Sequence, residues 1–319
     1  MEPLHILGTL AAAVTGVVVL LIVAAPRPRK PTESEKYYRS ATSNEPQRLC
    51  SIFDEANRDL TVIVPAYNET QRLPIMLEEA IMYLEERKSK NKKFTYEIMI
   101  VDDASTDGTS EIALDFGRKY KNIDLKVLRL EKNRRKGGSI TQGILSCGGK
   151  YVLFVDADGA TKFSDLSDLE NELKKIERDS YGVAVGSRAH LVNTDVVVKR
   201  SFIRNFLMHS FHKVLFILGI RSIADTQCGF KLFTRKSALK IFHNMHVEGW
   251  IFDIEVLLIA QYFNMPIVEV PVNWHEVDGS KVSLTKDSIQ MAKDLLIIRL
   301  SYLLRLWKIR DPLARKKQE

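Results

Sequence analysis

The chain has 319 residues, 45% hydrophobic and 27% charged, an ordinary globular composition that fits one large domain or two small ones. Lys and Arg outnumber Asp and Glu by 47 to 40, and the net charge of +7 points to an anionic partner such as phosphate or a membrane surface. Cys50, Cys147 and Cys228 form an odd, scattered set; it excludes a CxxC or cysteine-metal framework and reads as free thiols in a reducing compartment.

The first element in the chain is apolar. No residue from 4 to 25 carries a formal charge, and about 20 such residues are enough to cross a hydrocarbon core of about 30 Å. A transmembrane helix is expected there. A cleaved signal peptide would carry positive charge before the apolar run, whereas here the charges follow it, in PRPRK. Arg27, Arg29 and Lys30 then face the cytosol, together with all that comes after them. Residues 1–30 are read as the anchor. Residues 31–59, rich in Pro, Ser, Glu and Arg, are read as a linker that tethers more than it packs.

From residue 60 the pattern alternates. LTVIV is a short, continuous apolar run of the kind found in strands buried on both faces. RLPIMLEEAIMYLEERKSK follows, with Leu73, Leu77, Ile81 and Leu84 near helical spacing. YEIMIVDD gives a second strand, SEIALDFGRKY a second helix, LKVLRLE a third strand, GGSITQGILSC a helix start, and YVLFVDAD a fourth strand. Alternating strands and helices predict an α/β fold: a mostly parallel, Rossmann-like sheet with helices on both faces, over residues 60–285. Ligands of such sheets bind at the carboxyl ends of the strands. The first strand leads into VPAYNE without a Gly-rich turn, and no GxxxxGK[ST] occurs, so a dehydrogenase and a P-loop phosphotransferase are both poor readings.

Three polar groups follow buried strands directly: residues 65–69, Asp102 with Asp103, and Asp156 with Asp158. In an extended segment residues two apart point the same way, so Asp156 and Asp158 can offer oxygens to one point. Their repulsion is relieved by a divalent cation, and hard oxygen ligands suit Mg2+ or Mn2+. The plainer alternative is a turn, since Asp and Gly both favour turns. Asp107 and Thr109 also fit a turn leading into a helix N-cap, and Gly137 with Gly138 also fits a helix start.

Further along, Lys199, Arg200, Arg204, Lys213 and Arg221 are interleaved with Phe202, Phe206, Phe211 and Phe216, with no acidic residue between Asp195 and Asp225. This suits a helix at an interface with anionic headgroups, or a core-covering helix with a solvated basic face. Residues 288–310 are apolar but broken by six charged residues, Lys293, Asp294, Arg299, Arg305, Lys308 and Arg310, so they should not span a bilayer. Residues 286–319 are read as an amphipathic, membrane-associated segment with Trp307 at headgroup depth; a helix packed on the domain is the alternative.

The runs VIVPAYNE, IVDDASTDGT, NRRKGGSITQGILSCGGKYVLFVDADGAT and DTQCGFKLF together resemble a family 2 glycosyltransferase of the GT-A fold, and within it the dolichyl-phosphate sugar transferases. The resemblance covers residues 60–282. It implies nucleotide binding by Pro65, Ala66, Tyr67, Glu69, Asp102, Asp103, Lys136, Gly137 and Asp156, and a metal-binding DxD at Asp156 and Asp158. It implies phosphate contacts from Arg188 and from Arg200 or Arg204, with Asp225, Gln227 and Lys231 lining the sugar or acceptor. Asp253 and Glu255 align with the place where hydroxyl-transferring relatives keep a general base; Asp253 is expected to orient the sugar or the site, and Asp158, Arg188 and Asp253 are the expected catalytic set. Mannosyl relatives often carry glutamine where this chain has Ala160, so the glucosyl branch is the better match.

The implied reaction is inverting transfer of glucose from UDP-glucose to dolichyl phosphate, for lipid-linked oligosaccharide assembly in protein N-glycosylation. The implied location is the endoplasmic reticulum membrane, single-pass, with the catalytic domain in the cytosol. No nucleic-acid partner is expected. Two alternatives remain open at this point: the same chemistry with GDP-mannose, and a non-catalytic, membrane-tethered binding scaffold that would be indifferent to Asp158→Asn.

Overall fold

The computed structural model describes residues 15, 16, 19, 23, 25, 26, 28–191, 223–277, 279 and 284–314. Most of the apolar run 4–25 lies outside them, as do the basic and aromatic stretch 199–221 and, within it, Arg200 and Arg204. Among the described residues no helix is long and apolar enough to cross a membrane.

The centre is a nine-stranded sheet. Its strands are β1 (Tyr37–Ser40), β2 (Ser43–Arg48), β3 (Arg58–Ala66), β4 (Tyr96–Asp102), β5 (Leu125–Arg129), β6 (Gly149–Val155), β7 (Val183–Ser187), β8 (Phe230–Thr234) and β9 (Ile267–Pro271). They lie in the order β2-β1-β5-β4-β3-β6-β8-β7-β9. β5, β4, β3 and β6 run parallel, as the alternating pattern predicts. β8 is antiparallel to both β6 and β7, and β1 to both β5 and β2, so the sheet is mixed rather than mostly parallel.

The central strands read as unbroken apolar runs because both faces are covered. Val62 and Val64 of β3 and Ile98 and Ile100 of β4 enter one core; Ile63, Met99 and Val101 enter the other. The first core is covered by α1 (Leu73–Lys90), α2 (Thr109–Lys119) and α4 (Leu166–Ile176). The second is covered by α3 (Arg135–Leu145), α5 (Arg235–Phe242), α6 (Phe252–Tyr262) and α7 (Leu284–Leu303). Helix α1 begins at Leu73 with Pro74 in its first turn, where a missing N–H costs nothing, and ends among Arg87, Lys88 and Lys90.

Two segments differ from the sequence reading. Residues 31–59 do not behave as a tether: β1 and β2 extend the sheet, and Glu35, fully buried, accepts hydrogen bonds from Thr32 N, Glu131 N and the Arg29 guanidinium. Periodicity did not show this hairpin because β1 and β2 are short, polar strands at the margin of the sheet and largely exposed, with β2 at the edge. Trp307, expected at headgroup depth, is 8% exposed, stacked on His246 at 4.2 Å and edge-on to Tyr302. Leu295 and Ile298 of α7 join the same core, so this segment packs on the domain.

Candidate active site

β3 pairs with β4 on one side and β6 on the other, and chain order reverses across it; a crevice opens at the carboxyl ends of such strands. The loops lining it are drawn tight. Asn68 after β3, Ala104 after β4 and Arg135 at the start of α3 all have positive φ, at 53°, 61° and 61°. Left-handed backbone at non-glycine residues is costly and persists only where the surroundings impose it. Here they do: Asn68 N donates to Ser105 Oγ, Thr106 N to Asn68 Oδ1, Glu69 N to Thr109 Oγ1 and Thr70 N to Asp107 Oδ2. Asp107 also accepts from Thr109 N and Oγ1, which makes it a structural brace at the start of α2.

The predicted nucleotide residues fall on this rim in different states of exposure. Pro65 is half-buried, Ala66 is buried, and Tyr67 is 40% exposed at the crevice edge. Glu69 is buried and paired with Arg72 at 2.7 Å. Asp102 is fully buried, with Oδ1 accepting from Ser105 N and Oδ2 from Ser110 Oγ; both its oxygens hold the loop. Asp103 is 3% exposed and accepts from Arg134 N at 2.6 Å. Burial pushes the Asp103 carboxyl up to about 6 against these hydrogen bonds. The acidic pair thus knits β4 to its own loop and to the start of α3.

Beyond the end of β6 a line of alternating charge runs into the protein. Lys136 Nζ lies 2.5 Å from Asp156 Oδ1, and Lys231 Nζ lies 2.6 Å from Asp253 Oδ1. Burial would lower the Lys136 ammonium, but Asp156, Asp253 and Asp158 hold it above its usual range. Burial raises the Asp253 carboxyl, opposed by Lys231 and Lys136. Asp158 is raised by burial and then by the charge of Asp156; Ala160 N donates to its Oδ1. Glu69, Asp156 and Asp253 each have a cation, whereas Asp158 has no ion pair among the described residues.

Arg188, following β7, is locked to Asp225: its Nε and Nη2 donate to the two carboxylate oxygens at 2.6 and 2.9 Å, and its backbone N adds a third bond. Burial opposes the charge on Arg188, but Asp225 outweighs it and raises the guanidinium above its usual range. Asp225 N and Ala224 N donate in turn to Glu269 of β9, and the guanidinium lies 5.6 Å from the Trp274 ring. Gln227, half-buried in the same loop, donates its backbone N to Asp225 Oδ1.

Three expectations change on these observations. Lys231 has no exposed surface and donates to Cys228 O and Asp253, so it supports Asp253 from behind and lines nothing. Gly137 does not make room for a ligand: a Cβ there would sit 2.5 Å from Phe252 Cβ and 2.9 Å from Val247 O. Glu255 points away from Asp253 and accepts from His246 N, Val247 N and Tyr302 Oη, which excludes it from the crevice. Two residues went unnoticed in the sequence. Arg72 senses the charges of Asp158 and Asp156, and its place just after VPAYNE was the available signal. At Gly229 a Cβ would lie 1.9 Å from Asp156 Oδ2, and no local pattern announces that approach.

Among the described residues no three His, Cys, Asp or Glu side chains converge as a metal cage. The donor set nevertheless fits a hard divalent cation of the kind held by one or two carboxylates and completed by substrate phosphates. Asp156 and Asp158 are two such carboxylates, and Asp158 has no direct ion pair among the described residues, with Lys136 and Arg72 acting on it only through space.

A mixed α/β sheet with paired aspartates at its central crevice is the architecture of a nucleotide-sugar transferase, and residues 61–242 match Glycosyl transferase family 2. The chain belongs to that family. Similar to it along most of its length is the dolichyl-phosphate beta-glucosyltransferase of Dictyostelium discoideum, 48% identical over 88% of this chain and 86% of that one. The protein of the same name from Homo sapiens is 43% identical over 96% of each chain. Among solved structures, glucosyl-3-phosphoglycerate synthase from Mycobacterium tuberculosis, in complex with Mn2+, UDP and glucosyl-3-phosphoglycerate, superposes with a TM-score of 0.52. It is 16% identical over 76% of this chain and 80% of that one, a likeness that shows the GT-A-like fold they share.

Proposed function

We propose that the protein transfers glucose from UDP-glucose to dolichyl phosphate with inversion, giving dolichyl β-D-glucosyl phosphate and UDP. The observation that carries this reading is 42–48% identity, over most of the chain, to several proteins named dolichyl-phosphate beta-glucosyltransferase, together with the Asp156, Asp158 and Lys136 cluster at the crevice.

The chemistry asks little of proton transfer. A phosphate monoester, with a second pKa of about 6, is already largely dianionic at neutral pH, so its oxygen needs no base to attack the anomeric carbon. That oxygen forms the new bond as the bond to the UDP oxygen breaks, and the electron pair leaves on the diphosphate. What remains for the protein is positioning and charge. Asp156 and Asp158 would hold Mg2+ or Mn2+, which when bound supplies positive charge for the departing diphosphate. Lys136 adds an ammonium beside them. Asp253, already partnered by Lys231, helps keep Lys136 charged through space and has no proton to remove. Arg188, held flat by Asp225, presents a fixed cation toward the acceptor phosphate, and Arg200 and Arg204 are proposed to join it.

We place the protein at the endoplasmic reticulum membrane with this domain in the cytosol. The uncharged run 4–25, the cations that follow it and the absence of any disulfide among Cys50, Cys147 and Cys228 support that placement. The test uses purified protein, dolichyl phosphate, a divalent metal, and UDP-glucose or GDP-mannose in parallel. Consumption of UDP-glucose alone, abolished by Asp158→Asn, is expected. Consumption of GDP-mannose instead reassigns the donor, and consumption of neither overturns the reading.

A further inference from the structure

On the face of the sheet covered by α3 and α5, a cavity of about 540 Å3 opens beneath residues 28–31. It shares no residue with the crevice cluster of Asp156, Asp158, Lys136, Arg188, Asp225 and Asp253. Its wall carries Arg29, Lys30, Lys36, Arg48 and Arg134 against one carboxylate, Glu35. Arg29 is paired with Glu35, Lys36 with Glu33 and Arg134 with Glu248. Lys30 and Arg48 carry no ion pair among the described residues, and both are exposed.

The rest of the lining is mixed: Ser51, Thr141, Gln142, His243 and His246 are polar, while Leu49 and Leu145, both partly buried, give it an apolar side backed by the buried Phe242 and Met245. The segment over the cavity is fastened in place, since Arg29 donates to both oxygens of the buried Glu35, which also accepts from Thr32 N and Glu131 N. A preformed hollow with uncompensated cations on one side and hydrocarbon on the other matches an amphiphile with an anionic head. In sequence, the uncharged run 4–25 ends three positions before Pro28 of the cavity wall.

We propose that this cavity binds the phosphate headgroup of an anionic lipid, with Lys30 and Arg48 as the phosphate contacts and the partly buried Leu49 and Leu145 receiving the first carbons of the tail. Such a site would hold the domain against a lipid surface in a set orientation, independently of the transfer reaction.

Cys50 lines the cavity and is partly exposed, whereas Cys147 and Cys228 are buried, so its alkylation reports on occupancy. The full chain in detergent is treated with N-ethylmaleimide, and labelling of Cys50 is followed by peptide mass in the presence of dihexanoyl phosphatidic acid, dihexanoyl phosphatidylcholine or inorganic phosphate. Phosphatidic acid should slow labelling, and the Lys30→Ala/Arg48→Ala variant should need about tenfold more of it, the loss expected when charge-assisted phosphate contacts are removed. Protection by phosphatidic acid alone assigns a lipid; equal protection by inorganic phosphate keeps the anion site and assigns the free anion. No protection by either, equal protection by phosphatidylcholine, or an unchanged response in the variant overturns the proposal. Glucosyl transfer by the same variant should be retained, so failure here is distinguishable from failure of the proposed reaction.

Discussion

Lys231 shows how much of the site depends on groups that never meet a substrate. Its ammonium has no access to water and is matched by Asp253 and Cys228 O, so removing it leaves a buried carboxylate without a partner. Lys231→Met should cost about 3–5 kcal/mol in denaturant unfolding. Asp253→Asn in that background should return most of the stability but not the transfer rate, and simple additivity of the two changes would show that the residues are not coupled. Asp103 titrates in the opposite sense to a salt-bridged acid. Its carboxyl moves from 3.8 to about 6 on folding, so folding takes up a proton in that window and stability declines as pH rises through it. Asp103→Asn should therefore stabilise the protein by about 2–3 kcal/mol at pH 7.5, a gain that vanishes near pH 4. Unfolding curves at the two pH values check this. Both residues were legible by type and place in the chain. Their burial was not, because the residues that cover them come from distant segments.

At the scale of elements, the crevice is made by loops that brace one another. The turns after β3 and β4 exchange hydrogen bonds through Asn68, Ser105, Thr106 and Asp107, and glycines set how closely the neighbouring pieces approach. Gly229, just before β8, is the sharpest case. A methyl group there collides with the tip of Asp156, which can swing aside at little cost to the fold. Gly229→Ala should lower transfer by at least about tenfold and raise the metal concentration needed for half-maximal rate, while the unfolding midpoint moves by less than about 1 kcal/mol. A rate unchanged across a metal titration would mean that Asp156 needs no fixed position. The strands carrying these loops were readable because burial on both faces leaves an unbroken apolar run. β8 and β9 were not singled out, since their short runs lie past residues 192–222 and pair out of chain order.

Across the whole molecule, the C-terminal segment closes the second core. Trp307 lies on His246, His246 and Tyr302 both bond Glu255, and Glu255 belongs to the helix that carries Asp253. Trp307→Ala should thus cost about 3–5 kcal/mol in solution, as truncation of a buried aromatic does. A cost below about 1 kcal/mol would mean that the segment rests elsewhere, as the headgroup reading held. Charges in that segment argue against a spanning helix, but amphipathicity looks the same whether the apolar stripe meets lipid or protein.

The linear chain by itself determined the alternation of strands and helices, the strand ends where acids gather, and the family motifs that point to a nucleotide-sugar donor. Those signals are local: apolar period, turn chemistry and residue type are all carried by neighbours in sequence. Tertiary structure decided which of the acids stay available. It closed Asp102 and Asp103 into their loop, buried Lys231 behind Asp253, set Gly229 against Asp156 and left Asp158 without a direct ion pair among the described residues. Each outcome depends on segments far apart in sequence meeting in a low-dielectric interior, where desolvation and pairing determine whether a charge supports the fold or remains free for a ligand.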